Sequence, residues 1–467
     1  MTKREIRKSI ASFVLIFLIA FSAFGCITVR ADGGKIWKTA EELIAEQGFI
    51  NGVQMFESYQ GSTGNDIGGG GPFGYSADFR PEVWKQFFAN SKAMGFQICK
   101  FWNNYQMCGI QFDADCRVVG CGSNYLKNLR TIFELAQEQD LYISLTLMSH
   151  IESYFPKSWY EKMIRLVHNE TYRNLFIQNW VRPVLELSAQ YPNVIMVDLY
   201  CEPEADGSYW NIARGTSWEN MQSFISDLQE AVELYNPRLA TYCSATIQPE
   251  KISKLYGGIG LDYYSYDNYS SGSVPDPYDL FLDCPLVFGE IGANGVSNTE
   301  NAVSSYYNAY LNNCINNGIK AAFYWLYHPT RLNAQSLIDD NNTARLRQAT
   351  WTLRTWASDR INTVNGTPGA LDTPAVMYST GDYIRWFGAR GAVSLTLQRS
   401  TDKENWSTVV TFNPSSVPSS VTEFHPNMYE YDDSSSLEAG IDYYYRVKAT
   451  DSSENVTYSL PSYPISK

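Results

Sequence analysis

Histidine is scarce in this 467-residue chain: His150, His168, His328 and His425 are the whole supply. None of the nine cysteines forms a C-x-x-C pair. A zinc site of the usual ligand spacing is therefore not expected, and neither is any other metal or cofactor. Past the amino-terminal segment, no apolar run reaches the roughly eighteen residues that a membrane span requires. Positive charge is also short, with 36 Lys and Arg against 49 Asp and Glu, a net of −13. That balance argues against nucleic acid or an anionic membrane as partner. A phosphate-cradling glycine fingerprint is missing too: Gly68 to Gly71 form a run without its spacing or a following helix. A doubly wound nucleotide-binding sheet lacks its main signature.

What is present begins with an address. Lys3, Arg4, Arg7 and Lys8 precede an apolar run from Ala11 to Phe24, and Val29-Arg30-Ala31 offers small residues to a signal peptidase. Residues 1–31 are expected to be a secretory leader, cleaved after Ala31. Cys26 offers a lipoprotein alternative, disfavoured by the bulky Phe24 nearby. Removing the leader's net +4 takes the chain from −13 to −17. Export permits disulfides, although spacing leaves their pairing open, and Cys108, Cys116 and Cys121 crowd one loop. Aromatic residues make up 15%, with 33 Tyr and 12 Trp. Most belong in a core, and the remainder suit flat platforms for sugar rings.

Short apolar runs then alternate with amphipathic stretches. Strands are expected near 49–57, 95–102, 141–148, 194–200, 239–244, 259–266, 285–291 and 319–327. Helix-like segments at Pro81–Met94, Tyr125–Gln139, Thr171–Gln190, Trp218–Tyr235, Thr299–Asn317 and Thr343–Asp359 lie between and after them. This alternation predicts a (β/α)₈ TIM barrel over residues 32–360. A polar, Pro/Gly-rich linker at 361–367 precedes short alternating strands over 368–467, at Tyr383–Phe387, Val393–Arg399, Ser407–Phe412, Glu423–His425 and Tyr443–Ala449. They predict a small all-β immunoglobulin-like sandwich. Trp386 in an early strand, the turn "STDKENW" and the late "YYYRVKATD" resemble a fibronectin type III domain.

In such a barrel the chemistry sits at the carboxyl ends of the strands. Glu202 follows "VIMVDLYC" at the fourth strand, and Glu290 follows "PLVFG" at the seventh, across the mouth. Two facing carboxylates suit glycosidic bond cleavage, one as proton donor and the other as nucleophile or base. With "CEPE" and "FGEIG" in these places, the segment from about 47 to 358 resembles clan A glycoside hydrolases, most nearly family 5 of cellulases and β-mannanases.

The resemblance implies that Glu202 is the acid/base and Glu290 the nucleophile of a retaining mechanism, with carboxyl groups about 5 to 5.5 Å apart. It matches Tyr269 of "YSYDNYS" to a tyrosine that holds the nucleophile ionised, and Trp325 of "FYWLYHP" to the floor of the cleaved sugar's subsite. His150 matches a sugar-contacting histidine loosely. Three positions depart from the pattern. Cys201 stands where an asparagine normally contacts the sugar 2-hydroxyl, Lys100 where an arginine steadies the nucleophile, and Asp267 where family 5 has histidine. Lysine keeps the charge and loses the planar fork.

Trp102, Tyr105 and Trp210 are candidate sugar platforms or packing residues, and Glu57 is a third acid on the same face. The loops 59–78 and 103–123 are expected to wall a cleft. The expected activity is secreted hydrolysis of a β-linked polysaccharide or oligosaccharide, with glucan or mannan favoured. An exo-acting β-galactosidase or β-mannosidase, prompted by Asp-Asn-Tyr at 267–269, and a non-catalytic sugar-binding barrel, prompted by Cys201 and Lys100, are the alternatives. The carboxy-terminal domain is expected to associate with a cell surface or polysaccharide, or to act as a spacer.

Overall fold

The computed structural model describes residues 36–55, 79–102, 109–149, 157–206, 217–269, 274–280, 282–293, 295–325, 327, 336–338, 345–379 and 383–467. The expected leader, Glu57, Tyr105, His150, Trp210 and the loop 59–78 lie outside these residues.

Eight parallel strands form one sheet: β1 (Ile50–Met55), β2 (Ile98–Trp102), β3 (Tyr142–Thr146), β4 (Val194–Asp198), β5 (Ala240–Tyr242), β6 (Tyr264–Asn268), β7 (Leu286–Ile291) and β8 (Ala321–Tyr324). Their order is β5-β4-β3-β2-β1-β8-β7-β6. Apart from β5 and β6, neighbours along the chain are neighbours in the sheet, and β8 returns to β1, as the barrel reading requires. Between β5 and β6 no ladder forms. Asp262 N and Tyr263 N donate to Thr241 O at 3.2 and 3.0 Å, and Asp267 N donates to Ala245 O at 2.8 Å, which closes the seam. Every residue of β1, β2, β3, β4 and β7 is buried. That is the signature of strands covered on one face by helices and on the other by the barrel's own filling.

The sixth strand runs later than its expected span of 259–266. Gly258 and Gly260 have φ of +82° and +95°, a left-handed backbone that breaks extended structure, so residues 257–260 turn and the strand starts at Tyr264. The shift puts Asp267 inside the strand and Tyr269 just beyond it.

The helices follow from caps and spacing. Trp218–Tyr235 starts where the Ser217 side chain accepts from Asn220 N, and buries Met221, Phe224, Ile225, Leu228 and Val232 on one face. Glu300–Asn316 is capped by Thr299 in the same manner. The expected helix over 171–190 is interrupted by a π turn at Ile177–Val181, ahead of Pro183, which has no N–H to continue the regular ladder. An antiparallel hairpin, Ile110–Phe112 with Val118–Cys121, occupies part of what the sequence suggested was loop. No helix among the described residues is long and apolar enough to cross a membrane.

The last barrel helix is Thr350–Val364, so residues 361–364 of the expected linker are helical. After it come β9 (Ala375–Val376), β10 (Tyr383–Phe387), β11 (Ala392–Ser400), β12 (Ser407–Phe412), β13 (Val421–His425), β14 (Met428–Asp432), β15 (Tyr444–Asp451) and β16 (Val456–Tyr458). They form two four-stranded antiparallel sheets, β9-β10-β14-β13 and β12-β11-β15-β16. Trp386, Leu395, Leu397, Tyr429, Tyr445 and Val447 fill the space between the sheets.

This sandwich is packed against the barrel. Met377, Phe387, Met428 and Tyr463 belong to the barrel's apolar core. Tyr463 OH donates to Leu135 O at 2.7 Å, Tyr378 N donates to Asn90 Oδ1 at 2.9 Å, and the Arg354 guanidinium reaches both Ala93 O and Thr373 O. Glu430 accepts from Arg345 at 2.9 Å and from Arg385 at 2.6 Å.

Candidate active site

The seventh strand carries a bulge at the site. Against β6, Tyr266 pairs with Phe288 and Asp267 with Glu290, leaving Gly289 unmatched; against β8, Ala322 pairs with Phe288 and Tyr324 with Ile291. A bulge breaks the in-out alternation of a strand, so two successive residues can turn the same way. Here Gly289 and Glu290 do so. A Cβ on Gly289 would lie 2.0 Å from Ser244 Oγ and 2.9 Å from Asp267 Oδ1. The Glu290 carboxylate sits near the Asp267 side chain, and the residue is only 3% exposed.

Glu290 is held by donors on both oxygens. Gln54 Nε2, from β1, donates to Oε1 at 3.1 Å, and the Tyr269 hydroxyl donates to Oε2. The Cys201 thiol reaches Oε1 at 3.9 Å. Burial pushes the Glu290 carboxyl up to about 7; the Lys100 charge pulls it down, nearby Glu202 raises it, and the hydrogen bonds from Tyr269 and Gln54 lower it. Tyr269 thus acts on the carboxylate that the sequence assigned to it. Its own hydroxyl is driven well up by burial and by Glu290, and so stays a donor.

Glu202 stands at the carboxyl end of β4 with φ of +56°, a left-handed backbone uncommon for a side chain with a Cβ. Its N–H donates to Ser244 O at 2.7 Å, and Cys201 N donates to Met148 O at 2.8 Å, so the neighbouring strand ends hold the turn. Glu204, two residues on, is a peg. It is fully buried, its Oε1 accepts from the Tyr256 hydroxyl, and its Oε2 accepts from Thr246 N at 3.3 Å. Burial raises its carboxyl to about 7. The second glutamate of "CEPE" therefore anchors the short helix Pro203–Asp206, and Glu202 is the carboxylate that stands just past the end of β4.

Lys100 is placed differently from its expected role as a group steadying the nucleophile directly. Its ammonium lies 2.9 Å from Asp198 Oδ2, 2.8 Å from Ser244 Oγ and 3.1 Å from the Gly289 carbonyl, with no exposed surface. Three donors meet three acceptors, which is what a buried ammonium needs. Burial alone would lower its pKa, yet Asp198, Tyr242, Cys201 and Glu290 together outweigh burial and hold it well above the usual lysine value. Lys100 therefore fixes the backbone immediately before Glu290 and acts on that carboxylate only through its charge. Ser244 completes the network, donating from N and Oγ to Asp198 at 3.1 and 2.7 Å.

Cys201 is fully buried, and burial raises its thiol well above the ordinary value. Both oxygens of Asp267 are buried and accept no hydrogen bond among the described residues. Burial and the Glu290 and Glu202 charges push the Asp267 carboxyl well up. One ligand atom from each of Cys201, Asp267 and Glu290 lies within 4.8 Å of the other two. Trp325, half-buried, is fixed by its N–H to Ile291 O at 2.6 Å, and its ring packs on Trp102 with centroids 5.8 Å apart. Trp102 itself is only 4% exposed, so it backs Trp325 and does not present an open face. The described residues thus bring together Glu290, Tyr269, Cys201, Asp267 and Lys100, with Trp325 tied through its backbone to Ile291, next to Glu290. His150 and Trp210 lie outside them.

Gln54, Asp198 and Ser244 were not singled out from the sequence. Their signal is a polar residue within an apolar run, "INGVQM" and "VIMVD" in particular, where both faces are expected to be buried.

No family model and no curated protein matches the chain. Solved structures do. The β-1,4-D-mannanase from Cryptopygus antarcticus is 15% identical with a TM-score of 0.49, over 66% of this chain and 90% of that one. The endo-1,4-β-mannanase from Eisenia fetida is 16% identical with a TM-score of 0.49, over 71% and 94%. The endo-β-1,4-mannanase from Thermotoga petrophila is 10% identical with a TM-score of 0.44, over 90% and 98%. Each is a likeness of backbone, and none assigns a role to a residue of this chain.

Proposed function

We propose that the chain is a retaining β-glycoside hydrolase in which Glu290 is the nucleophile and Glu202 the acid/base. The observation that carries the reading is the setting of Glu290. It is a buried carboxylate at the end of β7, gripped by Tyr269 and Gln54, with the Glu202 charge near enough to raise its pKa. In the first half-reaction an oxygen of Glu290 bonds to the anomeric carbon, the glycosidic C–O bond breaks, and Glu202 gives its proton to the departing oxygen. In the second, water attacks the same carbon, Glu202 takes the water's proton, and the bond to Glu290 breaks.

Trp325 offers a ring on which a sugar stacks, and Cys201 and Asp267 border the reacting carbon. His150 and Trp210 are proposed as further sugar contacts on the sequence resemblance alone. The substrate class is β-linked polysaccharide or oligosaccharide, of the glucan or mannan type, met outside the cell after removal of the leader. A second reading, a sugar-binding barrel without turnover, is favoured by the commitment of Lys100 to Asp198 in place of the nucleophile.

Reducing-end release from glucan and mannan by wild type, lost in Glu290→Ala, separates the two readings. Glu290→Gly is expected to recover turnover of an activated glycosyl substrate when azide is supplied, with an azide product of inverted configuration. A folded Glu290→Gly chain that gives no azide adduct removes Glu290 from the nucleophile's role.

A further inference from the structure

We propose that Cys201, Asp267 and Glu290 form a binding site for one thiophilic divalent cation of the zinc or cadmium class. That its occupancy stops turnover rests on the hydrolase reading; the site itself does not.

The three residues come from the ends of β4, β6 and β7 and direct a sulfur and two carboxylate oxygens to one point, each within 4.8 Å of the others. The independent observation is Asp267. Both of its oxygens are buried and neither accepts a hydrogen bond among the described residues. A carboxyl group withdrawn from water without a partner is costly, and a cation supplies a partner to both carboxylates at once. Among the described residues, the positive charge acting on Asp267 is that of Lys100, and it is already engaged with Asp198 at 2.9 Å.

The donor set selects the ion. One sulfur with two oxygens is softer than magnesium or calcium prefers and suits zinc or cadmium. Zinc holds sulfur at about 2.3 Å and carboxylate oxygen at about 2.0 to 2.2 Å, so the ligand atoms draw in by roughly 1 Å on binding. Gly289 carries no side chain next to Asp267 Oδ1, which leaves that movement unobstructed. The thiol proton passes to solvent as sulfur coordinates, and a fourth position is left for water. Once coordinated, Glu290 no longer has an oxygen lone pair aimed at an anomeric carbon. The scarcity of histidine hides such a site from the sequence, because its ligands are 66 and 23 residues apart and meet only in the fold.

The test titrates the full chain with Co²⁺, a spectroscopic substitute for Zn²⁺. One Co²⁺ per chain with thiolate-to-cobalt charge-transfer absorption is expected, displaced by Zn²⁺. Cys201→Ser is expected to abolish that absorption, and Asp267→Asn to weaken Zn²⁺ by about tenfold or more in calorimetry. Circular dichroism checks folding, and the nearly isosteric Asp267→Asn keeps the test decisive if Cys201→Ser misfolds. The other six free cysteines among the described residues make the control sharp. Charge transfer that survives in Cys201→Ser, undiminished Zn²⁺ affinity in Asp267→Asn, or no bound Co²⁺ overturns the proposal. These signals are read without substrate: a chain that binds Co²⁺ and hydrolyses nothing keeps the cation site and loses the hydrolase reading. A chain that hydrolyses and binds no Co²⁺ does the reverse.

Discussion

At the scale of single residues, the site is a contest between burial and hydrogen bonds for the charge on Glu290. Burial wins enough to bring its carboxyl up to about 7. On the proposed mechanism Glu290 must be ionised to attack, so kcat/KM is expected to rise with pH along a limb centred near 7, measured on an activated glycoside. Tyr269→Phe removes a donor that favours the charged form. The limb then moves to higher pH and kcat falls roughly ten- to a hundredfold, the worth of one charge-assisted hydrogen bond. A merely structural tyrosine would lower activity without moving the limb. Stability has the matching sign: a carboxyl whose pKa is raised by folding favours the folded chain at low pH, and that contribution fades as pH climbs from the ordinary carboxylate range through about 7.

Lys100 and Asp198 pose the second residue-scale question, because both are fully buried. Lys100→Met leaves the buried Asp198 carboxylate without its counter-charge and is expected to cost about 3 to 5 kcal/mol, whereas Lys100→Met with Asp198→Leu recovers most of it. Denaturant titration of the two variants reads the difference directly. Equal losses in both would mean that the pair is not the unit.

At the scale of elements, the bulge on β7 decides whether the site exists. Gly289→Ala puts a methyl 2.0 Å from Ser244 Oγ and 2.6 Å from Ser244 Cβ. It is expected to destabilise the chain by about 1 to 3 kcal/mol through overpacking, and to depress turnover further by unseating the Ser244 that Lys100 grips. An unchanged melting temperature would refute the tight approach.

The elements also show what the sequence could and could not reveal. The (β/α) alternation and the place of the two glutamates at strand ends were legible because each depends on local pattern and strand count, whereas Tyr269 was pointed to by the family resemblance. The assignment of Lys100 was not, since Asp198 and Ser244 reach it from other strands and compete for its protons. The span of β6 was misjudged by several residues because the left-handed backbone at Gly258 and Gly260 outweighs the apolar run around them. Strand β14 was missed, since "MYEYD" runs into "DSSS" and its partner arrives through a tight turn at Asn427, φ +63°.

At the scale of the whole molecule, the sandwich behaves as part of the barrel and not as a tethered spacer. Its Met377, Phe387, Met428 and Tyr463 share the barrel core, and Arg390 bridges Asp359 of the last barrel helix to Asp372 at 2.6 Å each. Cutting the chain before residue 368 would expose that apolar face and strand Arg354 without Thr373 O. The full chain is therefore expected to melt in one calorimetric transition, with the calorimetric and van't Hoff enthalpies equal. Two resolved transitions would mean that the halves fold independently.

The seam between β5 and β6 has a consequence for how the molecule comes apart. Everywhere else neighbouring strands pair in ladders; here isolated backbone bonds from Asp262, Tyr263 and Asp267 do the joining. Ser244 stands just past one lip of this joint and Asp267 on the other, so the groups packed against Gly289, next to Glu290, straddle the place where the wall parts first. Warming the protein would thus extinguish its chemistry while most of its secondary structure still stands.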